Sequence, residues 1–410
     1  MSTLKTVINR TKLDNGLAVV SEHISTARSV YFSVYIKAGS RSETKADNGV
    51  AHFLEHMFFK GTGRRSAYEI AGALEDLGGN LNAYTGKEVT AFYANVLSEH
   101  LPQAIDVISD MLCNSLFKED DIEHEKQVVL EEINAVKDSP EEYIFDLFQE
   151  QMFPNQPLGL PILGSDKTIS RFDKQKIVDF RDKHYSGNNI VISAAGNLNH
   201  QDFIKMIQDK FCFAQRSLND KEIQPVAFRK KKRTYHQPVN QTHICAGIET
   251  VSYKSEKKYD LIALNTYLGG GMSSRLFQKI REEYGYAYTV YSSTDYYKDT
   301  GIISFYLGTN KKYRLKALQI LKEEIRRVSQ DRLPPDMVTK IKTQMKGGFL
   351  LGLEDTYNRM SRLAKNEIYF GKQMPVQSVL DSIESISADS ILKTAKAILN
   401  IDEFNIIQIS

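Results

Sequence analysis

Two histidines and a glutamate fall within five positions of an apolar run, Ala51-His52-Phe53-Leu54-Glu55-His56-Met57-Phe58-Phe59. On a helix, His52 and His56 stand four residues apart and share a face, one turn above the other. Neutral imidazole is the commonest nitrogen ligand of a divalent metal, and zinc favours it. Glu55, three residues after His52, projects beside such an ion without having to bind it, so its carboxylate is free to take a proton. The chemistry these types and spacings fit is metal-assisted attack of water, with a carboxylate as base. The bland reading of the same letters is a pair of surface histidines on an amphipathic helix.

Two histidines leave such a site short, since a catalytic zinc takes three protein ligands and one water. Residues 123–136 read as a helix rich in carboxylates, with Glu125 and Glu132 seven apart and therefore on one face. Either can reach inward. Val128 and Val129 read as sharing that buried side, whereas Glu131 points about a hundred degrees away from Glu132. A solvated acidic face accounts for most runs of this kind, but less well for acids in register with apolar residues.

The elements that must position these residues form a repeating outline. Asn15-Gly16 separates two strand-like pieces, and residues 30–37 alternate apolar and polar as a half-buried strand does. The motif helix follows, then a helix over 67–77, two strands meeting near Gly86-Lys87-Glu88, and helices over 102–112 and 120–136. A loop near Pro157-Leu158-Gly159 leads to a helix over 174–184, a strand over 189–195 and a helix ending near Phe213. After a polar stretch carrying Arg229-Lys230-Lys231-Lys232-Arg233, the order begins again: a strand over 243–249, helices over 259–268 and 274–284, strands over 286–292 and 302–307, and a helix over 313–328. The repeat predicts an α+β chain of two like domains, residues 1–213 and 234–410, joined by a linker over 214–233, each a mixed or antiparallel sheet covered by helices. The second half has no histidine in the place of the motif helix, so only the first can hold the metal.

With 410 residues, 41% hydrophobic, 25% charged and a net charge of +2, the chain reads as globular, with no dedicated nucleic-acid or membrane surface. Five cations in a row without interleaved aromatics read as a solvated connection. Cys113, Cys212 and Cys245 lack paired spacing and read as buried free thiols in a reducing compartment. No apolar leader opens the sequence and no run is long enough to span a bilayer, which predicts a cytoplasmic protein.

The stretch His52-Phe53-Leu54-Glu55-His56-Met57-Phe58-Phe59-Lys60-Gly61-Thr62, followed by Glu125 and Glu132 at this distance, resembles the pitrilysin/M16 metallopeptidases, the inverzincins, and within them the M16B-type chains similar to the β subunit of mitochondrial processing peptidase and bacterial processing proteases. The resemblance covers nearly the whole chain. It implies the mitochondrial-processing-peptidase-like metallohydrolase fold and one zinc per chain, held by His52, His56 and Glu132, with Glu125 supporting the site from behind and Glu55 as the base. Gly79-Asn80-Leu81-Asn82-Ala83-Tyr84-Thr85 resembles the family's substrate-pairing edge strand, which implies peptide binding at Asn82, Ala83 and Tyr84. Gly269-Gly270-Gly271-Met272-Ser273-Ser274-Arg275-Leu276-Phe277 resembles the turn and helix start of the second domain. The run Arg281-Glu282-Glu283-Tyr284-Gly285-Tyr286-Ala287-Tyr288 resembles the segment whose Arg281 and Tyr288 complete the site, although Tyr284 and Tyr286 stand where less aromatic residues are usual. The resemblance implies a zinc-dependent endopeptidase acting on unfolded peptides or presequence-like segments in a closed chamber. That chamber would be a homodimer with sites completed in trans. The rival expectation is a non-catalytic structural or peptide-binding chain of the same fold.

Overall fold

The structure is a computed structural model that describes residues 7–215 and 226–410. The start of the chain and residues 216–225, the middle of the expected linker, lie outside the described residues. The chain divides into two compact units that are not contiguous in sequence. One takes Met1–Asn134, Leu160–Ile223 and Gly352–Gln373; the other takes Ala135–Gly159, Gln224–Leu351 and Met374–Ser410.

The first unit is built on strands β1 (Val7–Lys12), β2 (Ala18–His23), β3 (Ser29–Ile36), β4 (Asn80–Thr85), β5 (Thr90–Leu97) and β6 (Ile190–Gly196), in the order β1-β2-β6-β3-β5-β4. Strands β2 and β6 run parallel and the other neighbours antiparallel. One face of this sheet packs against α1 (Val50–Met57), α2 (Ala67–Glu75) and α3 (Leu101–Asn114), around a core that includes Phe32, Val34, Phe53, Leu54, Phe58 and Phe92. Helix α4 (Glu119–Asp138) follows α3, and Ile122, Val129 and Ile133 join the same core.

The second unit repeats the plan. Its strands β7 (Lys232–Tyr235), β8 (Thr242–Thr250), β9 (Ala287–Tyr296), β10 (Gly301–Thr309) and β11 (Asn405–Ile409) lie in the order β7-β11-β8-β10-β9. Taken in chain order, these five follow the spatial order of β2 to β6, with the one parallel pair in the same place. The α+β architecture of two homologous domains with mixed sheets, expected from the repeat, is the one observed.

What the repeat does not convey is an exchange of helices. Helix α5 (Pro140–Met152), from the first half of the sequence, lies on β8 and β11 in the second unit, where Ile144, Leu147 and Phe148 meet Cys245, Ile302 and Ile407. In return the helix Thr356–Phe370 lies across β2, β3 and β6 of the first unit, where Met360 and Ala364 meet Tyr35, Val191 and Ala195. Arg359 on Glu22 at 2.6 Å and Arg10 on Glu367 at 2.7 Å fix that helix at both ends.

Three expectations need correction. Lys232 and Arg233, which read in sequence as the end of the linker, open β7, where main-chain pairing with β11 requires no apolar side chain and an edge tolerates cations. Val128 is 42% exposed: counted at about 100° per residue, the stripe of Ile122, Val129 and Ile133 leaves it on the far side of Glu125. Of the three cysteines only Cys245 is buried; Cys113 is half-buried, and Cys212 is exposed because it alternates with Phe211 and Phe213, which take the core side after the helix His200–Lys210.

Candidate metal centre

Helix α1 is short and carries no capping side chain of its own. Gly49 precedes it at φ 96°, a conformation that L residues rarely adopt, and a Cβ there would meet the Leu163 carbonyl and Gly164. The orphan donors of the first turn go instead to Glu43, whose carboxylate accepts the N–H groups of Gly49 and Ala51, both at 2.8 Å, and Asn48 Nδ2 at 2.9 Å. Burial pushes the Glu43 carboxyl up to about 7, against those donors and Lys87, which favour its charge. Val50, Phe53, Leu54 and Met57 anchor the helix in the core. The spacing of three and four then turns His52, Glu55 and His56 together on the remaining face.

Across from that face stands α4. Nε2 of His52 lies 3.7 Å, and Nε2 of His56 3.9 Å, from Oε2 of Glu132. These separations are too long for hydrogen bonds. Among the described residues, these three form the one group of histidine and acid side chains whose ligand atoms all lie within 4.8 Å of one another. Two imidazole nitrogens and a carboxylate oxygen facing one point are a donor set that zinc accepts, so the residues fit the metal. Burial, with His56 beside it, pushes His52 down to about 3, which keeps its imidazole neutral and able to donate a lone pair.

The other nitrogen of His56, Nδ1, is 2.8 Å from Oε1 of Glu125, which fixes the ring and leaves Nε2 toward Glu132. Burial disfavours the charged His56 ring, but the hydrogen bond and charge of Glu125 outweigh it and raise its pKa. Glu125 is 1% exposed, and Lys60 reaches its second oxygen at 2.5 Å. Burial would raise the Glu125 carboxyl, yet His56 and Lys60 together hold it below the usual value. Glu55 stands outside the three-residue group and accepts the hydroxyl of Thr85 at 2.5 Å. Burial raises its carboxyl, with Thr85 acting in the opposite direction.

The expected peptide-pairing strand is β4, which is an edge of its sheet. Asn82 is exposed, and its Oδ1 accepts the N–H of Ala83 at 2.8 Å. Tyr84 turns to the opposite face from Thr85 and packs on Tyr35 and Tyr93. In the second unit, Arg281 and Tyr288 are brought together: the guanidinium lies 4.7 Å from the Phe277 ring centre and 4.8 Å from that of Tyr288. Arg281 sits in the π-helical turn Phe277–Glu283, and Nε is 3.6 Å from Glu282. Tyr288 is 74% exposed. The unexpected aromatics have a structural role, since Tyr284, Tyr286 and Tyr313 stack in sequence at 5.3 and 4.8 Å beside the Gly285 turn.

Sequence reasoning missed Glu43, Lys60 and Thr85. Nothing in the spacing of Lys60 and Thr85 says which carboxylate each will meet.

This fold, with two histidines and two glutamates converging from α1 and α4, defines the insulinase type of metallopeptidase architecture. Residues 18–166 match the family described as insulinase (peptidase family M16), and residues 171–345 match the peptidase M16 inactive domain. The chain belongs to the M16 family. It is 38% identical to an uncharacterized zinc protease of Streptomyces coelicolor over 96% of this chain and 87% of the relative. It is 37% identical to the uncharacterized zinc protease YmxG of Bacillus subtilis over 97% of both. Among solved structures, a protease from Helicobacter pylori shares the fold at a TM-score of 0.91, with 21% identity over 99% of this chain and 100% of that one. A chain of complex III2 from Candida albicans shares it at 0.85, with 20% identity over 98% and 96%.

Proposed function

We propose that the chain is a zinc-dependent endopeptidase in which His52, His56 and Glu132 hold the metal and Glu55 is the base. One observation carries the reading: the ligand atoms of His52 and His56 on α1 and Glu132 on α4 lie within 4.8 Å of one another, while the buried carboxylate of Glu55, on the helix of the two histidines, stays outside the group. Zinc held there supplies a Lewis acid and brings the pKa of a bound water near 7. Glu55 takes the proton of the attacking water and delivers it to the departing amide nitrogen, so no covalent intermediate with the protein is needed. Glu125 orients His56. Arg281 and Tyr288 donate hydrogen bonds to the charge that develops on the carbonyl oxygen, a contribution of about 3 kcal/mol for one such donor. The free edge of β4, the strand that carries Asn82, Ala83 and Tyr84, receives an extended peptide by main-chain pairing, which favours unfolded peptides or presequence-like segments.

A second copy of the chain supplies Arg281 and Tyr288, so the working form is a homodimer enclosing a chamber, as the resemblance of the segment around these residues implies. A cytoplasmic location accords with three unpaired cysteines. No helix among the described residues is long and apolar enough to cross a membrane. The rival reading, a non-catalytic chain, draws on the fold shared with a complex III2 chain; the intact Glu55 favours the peptidase.

Zinc content and cleavage of a quenched unfolded peptide separate the two. The purified protein is expected to carry about one zinc per chain, lost on substitution of His52, His56 or Glu132. Glu55→Gln is expected to keep the zinc and lose turnover. Loss of metal in that variant, or full turnover by it, would refute the assignment of Glu55.

A further inference from the structure

One side chain joins the free edge of β4 to the carboxylate read as the base. Thr85 ends β4, and its hydroxyl donates to Oε2 of Glu55 at 2.5 Å. In antiparallel pairing, alternate residues bond the neighbouring strand while those between turn their N–H and C=O away from it. The turn bond from the Gly86 N–H to the Val89 carbonyl, at 2.8 Å, sets the phase of this alternation. By the register, Asn80, Asn82 and Tyr84 bond β5, whereas Leu81, Ala83 and Thr85 present their main-chain groups to the open edge. Two contacts agree. The Thr85 and Thr90 hydroxyls approach to 3.5 Å, as side chains of a non-bonded pair do, and the Ala83 N–H is taken by the Asn82 side chain rather than by β5.

Thr85 therefore presents its main chain to any strand laid along β4 while its hydroxyl holds Glu55. Its β-branched side chain has few χ1 choices, so the backbone of β4 dictates where the hydroxyl stands. Glu55 has longer torsional freedom, and the bond to Thr85 fixes one of its oxygens and leaves the other for proton transfer. We propose that Thr85 is a positioning residue that sets the register between a bound peptide strand and Glu55, so that one peptide bond is presented to the base. The proposal rests on the reading of Glu55 as the base.

The test uses Thr85→Val, which keeps the shape and removes the donor, and Thr85→Ser, which keeps the donor. Both are compared with the zinc-loaded wild type on an unfolded peptide whose single cut has been mapped by mass spectrometry. The Val variant is expected to lose about ten- to a hundredfold in kcat, with KM changed by less than about twofold, and to cut at neighbouring bonds as well. The Ser variant is expected to recover most of kcat and the single cut. Wild-type kcat and a single cut in the Val variant would overturn the proposal, and so would equal losses in Val and Ser. A loss that tracks a lower melting temperature or lower zinc content would also overturn it, by assigning Thr85 to folding. Turnover by Glu55→Gln would remove the underlying reading instead, and that outcome is visible without either Thr85 variant.

Discussion

A buried carboxylate needs partners for both of its oxygens, and Glu125 has one on each: the His56 ring and the Lys60 ammonium. If Lys60 were replaced by Met, the charge of the buried Glu125 carboxylate would be left with a single partner. Groups that orient a metal ligand from behind change metal affinity by about ten- to a hundredfold when lost. Lys60→Met and Glu125→Gln are each expected to weaken zinc binding by that order, measured by competition with a chelator, and Lys60→Arg to weaken it less. Unchanged affinity in Lys60→Met would reduce the ion pair to a local contact. At this scale the sequence was legible where function is written as spacing along one helix. His52, Glu55 and His56 declare a shared face by their numbers alone, and Glu125 with Glu132 nearly so. Lys60 and Thr85 were not legible, because each meets its carboxylate by tertiary approach across elements.

Between α1 and α2 the chain is tied down by a clamp on α3. Asp106 accepts Arg64 at 3.0 Å, Arg65 at 2.5 Å and Lys210 at 2.7 Å, and Asp110 takes Arg65 and the Thr62 hydroxyl. Partial burial would raise the Asp106 carboxyl, but the three cations outweigh it and hold it well below the usual range. A depressed carboxyl contributes stability above its unfolded pKa of about 3.9, and that contribution drains away as pH falls through the folded value. Asp106→Asn is expected to cost about 1 kcal/mol at pH 7 after allowance for solvent screening. The deficit should shrink below about pH 4 and in high salt, as followed by thermal unfolding of both proteins across pH. A deficit independent of pH would mean the carboxylate charge contributes nothing. Elements with a clear period were readable in advance: the helix Lys174–His184 falls where expected and β3 within a residue. Helix α5 and the helices from Pro335 onward were not legible as elements, and for α5 and Thr356–Phe370, which cover the sheet of the other half of the sequence, an apolar stripe carries no sign of which sheet it serves.

On the scale of the molecule, the proposed dimer makes a numerical claim. Glu55→Gln and Arg281→Ala are each expected to be inactive alone. In a mixed dimer with sites completed in trans, both defects fall in one site and the other is intact. Random pairing makes about half of the dimers mixed, so co-expression should restore activity to about a quarter of wild type. No recovery, with mixed dimers demonstrated, would remove the trans arrangement and leave the peptidase reading in place.

The exchanged helices bear on what counts as a separable piece of this protein. A fragment ending near residue 213 would carry the first sheet without the helix Thr356–Phe370, leaving the face of Tyr35, Ala91, Val191 and Ala195 to water. It would also carry α5 with no sheet to cover. Neither half of the gene is then a module that recombination can trade by itself. Each encodes the lid of the other's core, so a change of helix face in one half has to be answered by the sheet in the other, and the two halves of the repeat are bound to diverge as a pair.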